Sequence, residues 1–211
     1  MKKATRDNAE GVRIGNLDAT EMKAAVEVIV RGMRDNPVNV AALGEDATLR
    51  EKGCAVCSAR WRQWRRWAAT ATCWPREGLT ARYWGCGMVP PGRCQPGLGR
   101  QLRLAPTILA LGPRSAGRTM KWLRTWSKPD PDERHWHLAP VAVDAHLQGR
   151  GVGSKLMRDF CARMDAAGEI AYLETDKEIN VRFYEKFGFE VVAEVDVLGA
   201  PNWFMTRRPR N

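Results

Sequence analysis

The sequence has no stretch of about 18 uncharged apolar residues, the length a helix needs to cross a bilayer, so we predict no transmembrane helix. The first residues, Met1 to Asp7, are charged and contain no apolar core, which argues against a secretory signal. Without an export signal, we expect a cytoplasmic protein whose six cysteines are free thiols. The chain also lacks an internal repeat and a linker of Gly and Ser, so we predict a single domain over residues 1–211.

A complete metal-binding cysteine pattern is also missing. Cys54 and Cys57 have the spacing of one half of a zinc site, but Cys73, Cys86 and Cys94 are scattered singly. A structural zinc ion needs four ligands, usually from two such pairs. We therefore predict no metal site.

Acidic residues are nearly absent from residues 53–86, where one glutamate stands against six arginines and half of the net charge of +10 is concentrated. The segment holds five of the nine tryptophans and four of the six cysteines, without the alternation of a helix face or strand. One hypothesis is that a GC-rich gene is read out of frame here, between two compensating frameshifts. The alternative is an aromatic and basic surface for nucleic acid, because tryptophan stacks on bases and arginine binds phosphates. We do not expect nucleic acid as the partner.

The rest of the chain alternates helix and strand patterns. A strand at 12–14 precedes apolar residues at helical spacing, which predict a helix over 19–34 that Asp18 caps and Pro37 ends. Further helices are predicted from near Thr48, over 98–111 and over 114–127. The C-terminal third predicts strand 135–143, helix 153–167, strand 170–174, helix 180–187 and strands 189–197 and 202–207. This order predicts a mixed α/β (α+β) fold.

Three alternating glycines, Gly149, Gly151 and Gly153, join a predicted strand to a predicted helix. Glycine lets the backbone approach a ligand closely, and a helix start offers unpaired N–H groups with partial positive charge. Arg150 and Lys155 add full charges, so the turn predicts a site for phosphate or pyrophosphate. Its spacing matches neither the P-loop nor the dinucleotide-binding fingerprint, and a glycine-rich turn without a ligand is the alternative.

Two segments resemble the signatures of the GNAT N-acetyltransferase superfamily. Residues 148–153 (QGRGVG) are similar to its acetyl-CoA loop, Q/R-x-x-G-x-G/A, and residues 180–189 (NVRFYEKFGF) resemble N-x-x-x-Y-x-x-x-G-F. The resemblance covers residues 134–208, extends weakly over 12–40, and is nearest to puromycin N-acetyltransferase-like proteins. It implies the GNAT fold, a mixed and mostly antiparallel sheet flanked by helices, in which residues 134–208 form the acetyl-CoA half.

The resemblance also implies where acetyl-CoA lies. Backbone N–H groups of Val141 and Val143, on either side of Ala142, would bond the acetyl carbonyl and the pantetheine arm where the strand parts from its neighbour. Asn180, with Phe183 beside it, would hold the pantetheine arm. The pyrophosphate would be bound by the loop amides of Gln148, Gly149, Arg150, Gly151, Val152, Gly153 and Ser154.

Three side chains are candidates for proton transfer. Tyr184 lies in the second signature and is the predicted general acid, because a phenol can protonate a departing thiolate. The general base is left open between Glu174, at the end of a strand, and His137, whose imidazole suits the task. Each could instead be structural: a core tyrosine, a solvated carboxylate or a histidine on the sheet. We expect His135 to lie in the loop before the strand.

The resemblance implies an N-acetyltransferase that uses acetyl-CoA as co-substrate and acetylates a primary amine of a small molecule by direct attack. Protein N-termini or lysines are the other acceptor class. A GNAT-fold protein that binds acetyl-CoA without turnover is the alternative from a different class, and a basic nucleic-acid-binding protein is the third. A homodimer is expected by analogy with relatives.

Overall fold

A computed structural model describes the backbone of residues 13–15, 22–62, 70–74, 81–89 and 110–210, and the side chains of residues 23–55 and 110–210. The helices of these residues are α1 (Met22–Met33), α2 (Pro37–Leu43), α3 (Ala47–Arg62), α4 (Pro113–Trp126), α5 (Val152–Ala167) and α6 (Glu178–Glu185). The strands are β1 (Arg13–Gly15), β2 (Thr70–Trp74), β3 (Ala81–Val89), β4 (His135–Val143), β5 (Ile170–Thr175), β6 (Glu190–Val197) and β7 (Ala200–Arg207). A short 3₁₀ turn covers Ala145–Leu147.

The strands form one sheet in the order β1-β2-β3-β4-β5-β7-β6. Neighbouring strands are antiparallel except β4 and β5, which run parallel because α5 connects them. Helices flank the sheet, so the predicted fold class is confirmed. The C-terminal elements lie close to their predicted bounds, and β4 has the predicted bounds of 135–143.

The central feature of the sheet is the separation of β4 from β5. The two strands pair over three residues only, from His135 to His137. The opposite edge of β4 stays paired with β3 as far as Val143. The last six residues of β4 therefore have no strand partner on the β5 side, which agrees with the expected divergence.

A β-bulge in β4 lies where the divergence starts. Between Leu138 and Val141 the strand has one more residue than β3 has between the residues opposite them. Leu138 packs against α5 before the bulge, and Val141 and Val143 do so after it, so the side-chain alternation is shifted by one residue. Pro140 lies within this bulge and has no backbone N–H to donate to a neighbouring strand.

One layer of the core lies between the sheet and α5. The predicted apolar face of α5 is confirmed, because its five predicted residues are all buried against Leu173 of β5, Met205 of β7 and Tyr184 of α6. Gly168 ends α5 in the left-handed conformation, as predicted. The five residues of the apolar face are Leu156, Met157, Phe160, Cys161 and Met164.

The other layer holds α1, α2 and α4. α1 buries Ala25 and Ile29 as predicted, but its third buried residue is Val28, while Val26 is half-buried. Pro37 does not only end α1; it is the first residue of α2, a position where its missing N–H is harmless. α2 packs on Trp122 of α4 in a separate apolar cluster.

Within residues 53–86, the parts of the backbone that the structure describes, 53–62, 70–74 and 81–86, form regular structure. Residues 53–62 continue α3, and β2 pairs antiparallel with β3 in a hairpin, although the hydrophobic pattern for that hairpin is poor. Several predictions fall outside the described residues: the charged N-terminus, the Asp18 cap, residue 12 of the first strand, most of the helix over 98–111 and the side chains of four cysteines, Cys57, Cys73, Cys86 and Cys94.

None of the helices described is both long and apolar enough to cross a membrane. Within the same residues, no group of three or more His, Cys, Asp or Glu side chains is placed to hold a metal ion.

Candidate active site

The cleft that opens between β4 and β5 is bordered by α5 and α6 on one side of the sheet. A Cβ atom placed on Gly153, at the start of α5, would lie 3.5 Å from Phe183 Cζ and 3.8 Å from Val143 Cγ2. The end of β4, the start of α5 and the middle of α6 therefore meet at one point. The sequence predicted these three segments as parts of one site, and the fold brings them together.

The glycine-rich turn has the backbone of an anion site. Gly149 and Gly151 have φ values of 74° and 80°, in the left-handed region that glycine adopts without strain. The amide of Lys155 makes a bond of 3.0 Å to the carbonyl of Gly151, and no side chain caps the helix. The three preceding amides, of residues 152–154, thus point out of the helix start. Arg150 is exposed beside them.

Other predicted acetyl-CoA residues have structural contacts of their own. Gln148 Nε2 donates to the carbonyl of Val143 at 3.0 Å, which attaches the loop to the end of β4. Val152 buries its side chain in the core, so only its backbone faces the loop. Ala142 is buried against α1, on the face opposite to Val141 and Val143.

α6 carries the predicted acid. Tyr184 is 7% exposed; its ring contacts Phe183 edge-on and Phe189 at a tilt, at ring-centroid distances of 5.4 and 5.9 Å. Burial raises its pKa, so the phenol keeps its proton at neutral pH and remains a donor. Asn180, one turn earlier, donates from Nδ2 to Thr175 Oγ1 at 3.1 Å and so connects α6 to β5.

The two alternatives for the general base are partners of each other. His137 Nε2 lies 2.6 Å from Glu174 Oε2, and the two side chains are 8% and 3% exposed. His137 is also the last residue of β4 that pairs with β5, so the pair lies where the strands part. A short contact between buried groups of this kind is a charge-assisted hydrogen bond.

The end of β5 connects to three different elements through consecutive residues. Glu174 contacts β4 through His137, and Thr175 contacts α6 through Asn180. Asp176 is 5% exposed, and its Oδ2 accepts a hydrogen bond of 2.9 Å from the amide of Val38 at the start of α2. Burial raises the pKa of Asp176, although the Val38 amide opposes the rise. Asp176 is not among the site residues predicted from the sequence. Its position two residues after Glu174 would have placed it at the same end of β5.

A second attachment joins α1 to the end of β4. The Arg31 guanidinium contacts both carboxylate oxygens of Asp144, with Nη2 2.9 Å from Oδ1 and 3.2 Å from Oδ2. Next to it, a Cβ atom on Gly32 would lie 3.1 Å from Ala142 Cβ, so α1 touches β4 closely here. Nothing in the local sequence pairs Arg31 with Asp144, which are 113 residues apart.

The expectation that His135 lies in the loop before the strand is wrong. His135 is the first residue of β4 and is fully buried. Its Nδ1 lies 2.7 Å from the carbonyl oxygen of Glu133, and its Nε2 lies 3.3 Å from Asp130 Oδ1. The ring of Tyr172 contacts His135 and His137 edge-on, at 5.3 and 5.4 Å between ring centroids.

Comparison with known proteins agrees with this geometry. Residues 118–189 match the model of the acetyltransferase (GNAT) family. The fold is similar to that of the histone acetyltransferase HPA2 and related acetyltransferase of Corynebacterium glutamicum, at 16% identity and a TM-score of 0.65, over 95% of this chain and 98% of that one.

Two further solved structures are similar over nearly their whole length. Arylalkylamine N-acetyltransferase 2 of Aedes aegypti is 11% identical with a TM-score of 0.66, over 95% of this chain and all of that one. The ribosomal-protein-S18-alanine N-acetyltransferase of Escherichia coli is 12% identical with a TM-score of 0.54, over 95% of each chain. At these identities the likeness shows the fold, and the fold is that of GNAT acetyltransferases.

Proposed function

We propose that this protein transfers the acetyl group of acetyl-CoA to a primary amine of a small molecule. The observation that carries the proposal is the cleft between β4 and β5. A helix start built for an anion borders it on one side, and the buried pair of His137 and Glu174 lies where it opens.

The donor would lie along the end of β4. Its pyrophosphate would accept hydrogen bonds from the amides of residues 152–154, where the positive end of α5 and Arg150 favour a negative charge. The pantetheine arm and the acetyl carbonyl would use N–H groups of Val141 and Val143, which β5 no longer covers. Phe183 would lie beside that arm, because it contacts the α5 start.

The chemistry needs no covalent enzyme intermediate. The amine nitrogen attacks the thioester carbonyl carbon, and the C–S bond breaks as the amide forms. The ammonium first loses one proton to the hydrogen-bonded pair of His137 and Glu174, and the pair releases that proton to solvent after the reaction. The Tyr184 hydroxyl protonates the departing thiolate, and it recovers a proton from the attacking nitrogen, which loses its second proton as the amide forms.

A small acceptor is favoured by the connection between α1 and α2, which is attached to the ends of both strands that border the cleft. α1 is attached to the β4 side through Arg31 and Asp144, and α2 is attached to the β5 side through Val38 and Asp176. The residues between these two attachments therefore bridge the ends of β4 and β5, and they would restrict access to the cleft from that end. An extended protein segment would need an open groove there. The likeness to puromycin N-acetyltransferase-like proteins remains a prediction, as do a homodimer and a cytoplasmic location.

Two measurements test the function. Acetyl-CoA should raise the melting temperature, whereas a protein that binds only nucleic acid would not respond. A panel of arylalkyl, alkyl and aminonucleoside amines should then release free thiol, with an N-terminal peptide as the protein-type acceptor. Stabilisation without thiol release for any amine would favour binding without turnover, and release with the peptide alone would replace the small acceptor.

A further inference from the structure

A second buried imidazole–carboxylate pair lies behind the first one. His135 is fully buried, and the side chain of Asp130, which folds back from the loop before β4, is 4% exposed. Nδ1 lies 2.7 Å from the Glu133 carbonyl oxygen, within hydrogen-bond distance, whereas Nε2 makes an ion-pair contact of 3.3 Å with Asp130 Oδ1 that lacks hydrogen-bond geometry. The proposed reaction uses neither residue.

The partners of His135 decide where its protons are. A carbonyl oxygen only accepts hydrogen bonds, so Nδ1 must carry a hydrogen. In the neutral ring the lone pair of Nε2 would then face a carboxylate oxygen 3.3 Å away, whereas the imidazolium places a positive charge beside that carboxylate. Burial opposes that charge, but the interactions with Asp130 and the Glu133 carbonyl outweigh it and raise the pKa of His135.

This charge lies close to the proposed base. His135 and His137 are two residues apart on the same strand, and the Tyr172 ring touches both. The negative charge of Glu174 contributes to the raised pKa of His135, so a positive charge on His135 is coupled to the proposed base. It also disfavours a second positive charge on His137.

The groups that face His135 come from three elements. The loop before β4 contributes Asp130, β4 contributes His137, and β5 contributes Tyr172 and Glu174. The carboxylate of Glu133 is turned away to Arg208 at the surface, 2.8 Å from its Nη2. The side chains of β3 lie outside the part of the chain that the structure describes.

We propose that Asp130 and His135 form a positioning pair, which holds a fixed positive charge behind Tyr172 and thereby keeps His137 and Glu174 ready to accept a proton. Neither residue touches the reacting atoms. The electrostatic coupling does not depend on the proposed function, whereas its effect on acetyl transfer rests on that function.

The histidine content makes the coupling measurable without a substrate. The chain has three histidines, and the third, His146, is exposed and provides a reference signal. In protein labelled with ¹⁵N-histidine, we expect both His135 nitrogens to carry a proton at pH 7. A single protonated nitrogen at that pH would overturn the proposal, and this measurement on the unaltered protein needs no variant to fold.

The informative variant is Asp130→Asn, which keeps the shape but removes the charge. We expect His135 to become neutral at pH 7 and the titration midpoint of the His137 and Glu174 pair to rise by about half a pH unit. Glu133→Gln is the matched control, because it removes a carboxylate from the same loop but keeps the carbonyl that bonds His135, and the histidine signals should not move. Unchanged midpoints in Asp130→Asn would refute the coupling.

The same two variants connect the coupling to activity. With the best amine acceptor, Asp130→Asn should shift the acidic limb of the pH–kcat/KM profile upward with the midpoint, whereas a merely structural role would lower kcat without moving it. If no amine releases thiol, the proposed function fails while the spectra still decide the coupling. A shifted midpoint with an unmoved profile would remove the positioning role.

Discussion

The buried contact between His137 and Glu174 should contribute to the free energy of unfolding, which can be measured without a substrate. In His137→Leu the Glu174 carboxylate, 3% exposed, would lose its partner while staying buried. An uncompensated buried charge costs about 3–5 kcal/mol in the free energy of unfolding. Glu174→Gln should cost only about 1–2 kcal/mol, because the imidazole N–H can still donate to a neutral amide oxygen.

The double variant separates the interaction from the single losses. Removing the carboxylate in the His137→Leu background removes the stranded charge, so the double variant should cost less than the two single variants together. We expect a coupling energy of about 1–3 kcal/mol from urea unfolding at pH 7. The exposed pair of Arg182 and Glu178, 72% and 66% exposed, is the control, with about 0.5 kcal/mol or less. If the losses in the free energy of unfolding at His137 and Glu174 simply add, the two side chains do not interact and the prediction is refuted.

The remaining predictions concern the acid, the loop and the acid side of the stability curve. Tyr184→Phe should lower kcat about 100-fold or more with acetyl-CoA affinity unchanged, and an unaltered kcat would remove it as the acid. Gly149→Ala and Gly117→Ala both add a methyl group in open space, but only Gly149 has positive φ. In thermal unfolding, Gly149→Ala should lower the free energy of unfolding by about 1–2 kcal/mol and Gly117→Ala should not lower it. Equal effects of the two variants would contradict a strained turn at Gly149. A hydrogen bond from Arg207 lowers the pKa of Asp165 in the folded protein. The ionised Asp165 therefore stabilises the fold above the ordinary aspartate pKa, and this stabilisation is lost as pH falls through the pKa of Asp165 in the folded protein. Asp165→Asn should therefore flatten the fall of the melting temperature below about pH 4, and curves of equal slope would count against this ion pair.

Local sequence patterns predicted the secondary structure around β4 and α5 well. The apolar face of α5, the strand at 135–143 and the glycine at the end of α5 each depend on residues within one element or one turn. Periodicity and glycine conformation act at that range, so the sequence alone was sufficient. The start of α2 was missed because Pro37 both ends one helix and begins another, and only packing on Trp122 decides that the chain continues as a helix.

Other features depend on contacts between residues that are distant in the sequence, which no local pattern contains. His137 and Glu174 were rivals for one role in the sequence, and only the parallel pairing of their strands makes them partners. The burial of His135 depends on a loop that folds back to place Asp130 against it. For residues 53–86, composition opposed a hairpin that the backbone nevertheless forms. The out-of-frame hypothesis stays a prediction, and it fails if the other reading frames of the coding DNA give no patterned helix and hairpin.

The three consecutive contacts at the end of β5 fix the distances between the elements that they hold, because the three residues are neighbours in the chain. Thr175 holds α6, the helix that carries Tyr184, and Asp176 holds the start of α2. The Cα atoms of consecutive residues are about 3.8 Å apart, so the spacing between these two attachments is set by chain geometry. Loosening either helix would leave that spacing unchanged. Inserting one residue between Thr175 and Asp176 would lengthen it by more than a hydrogen bond tolerates, with every side chain of the site intact.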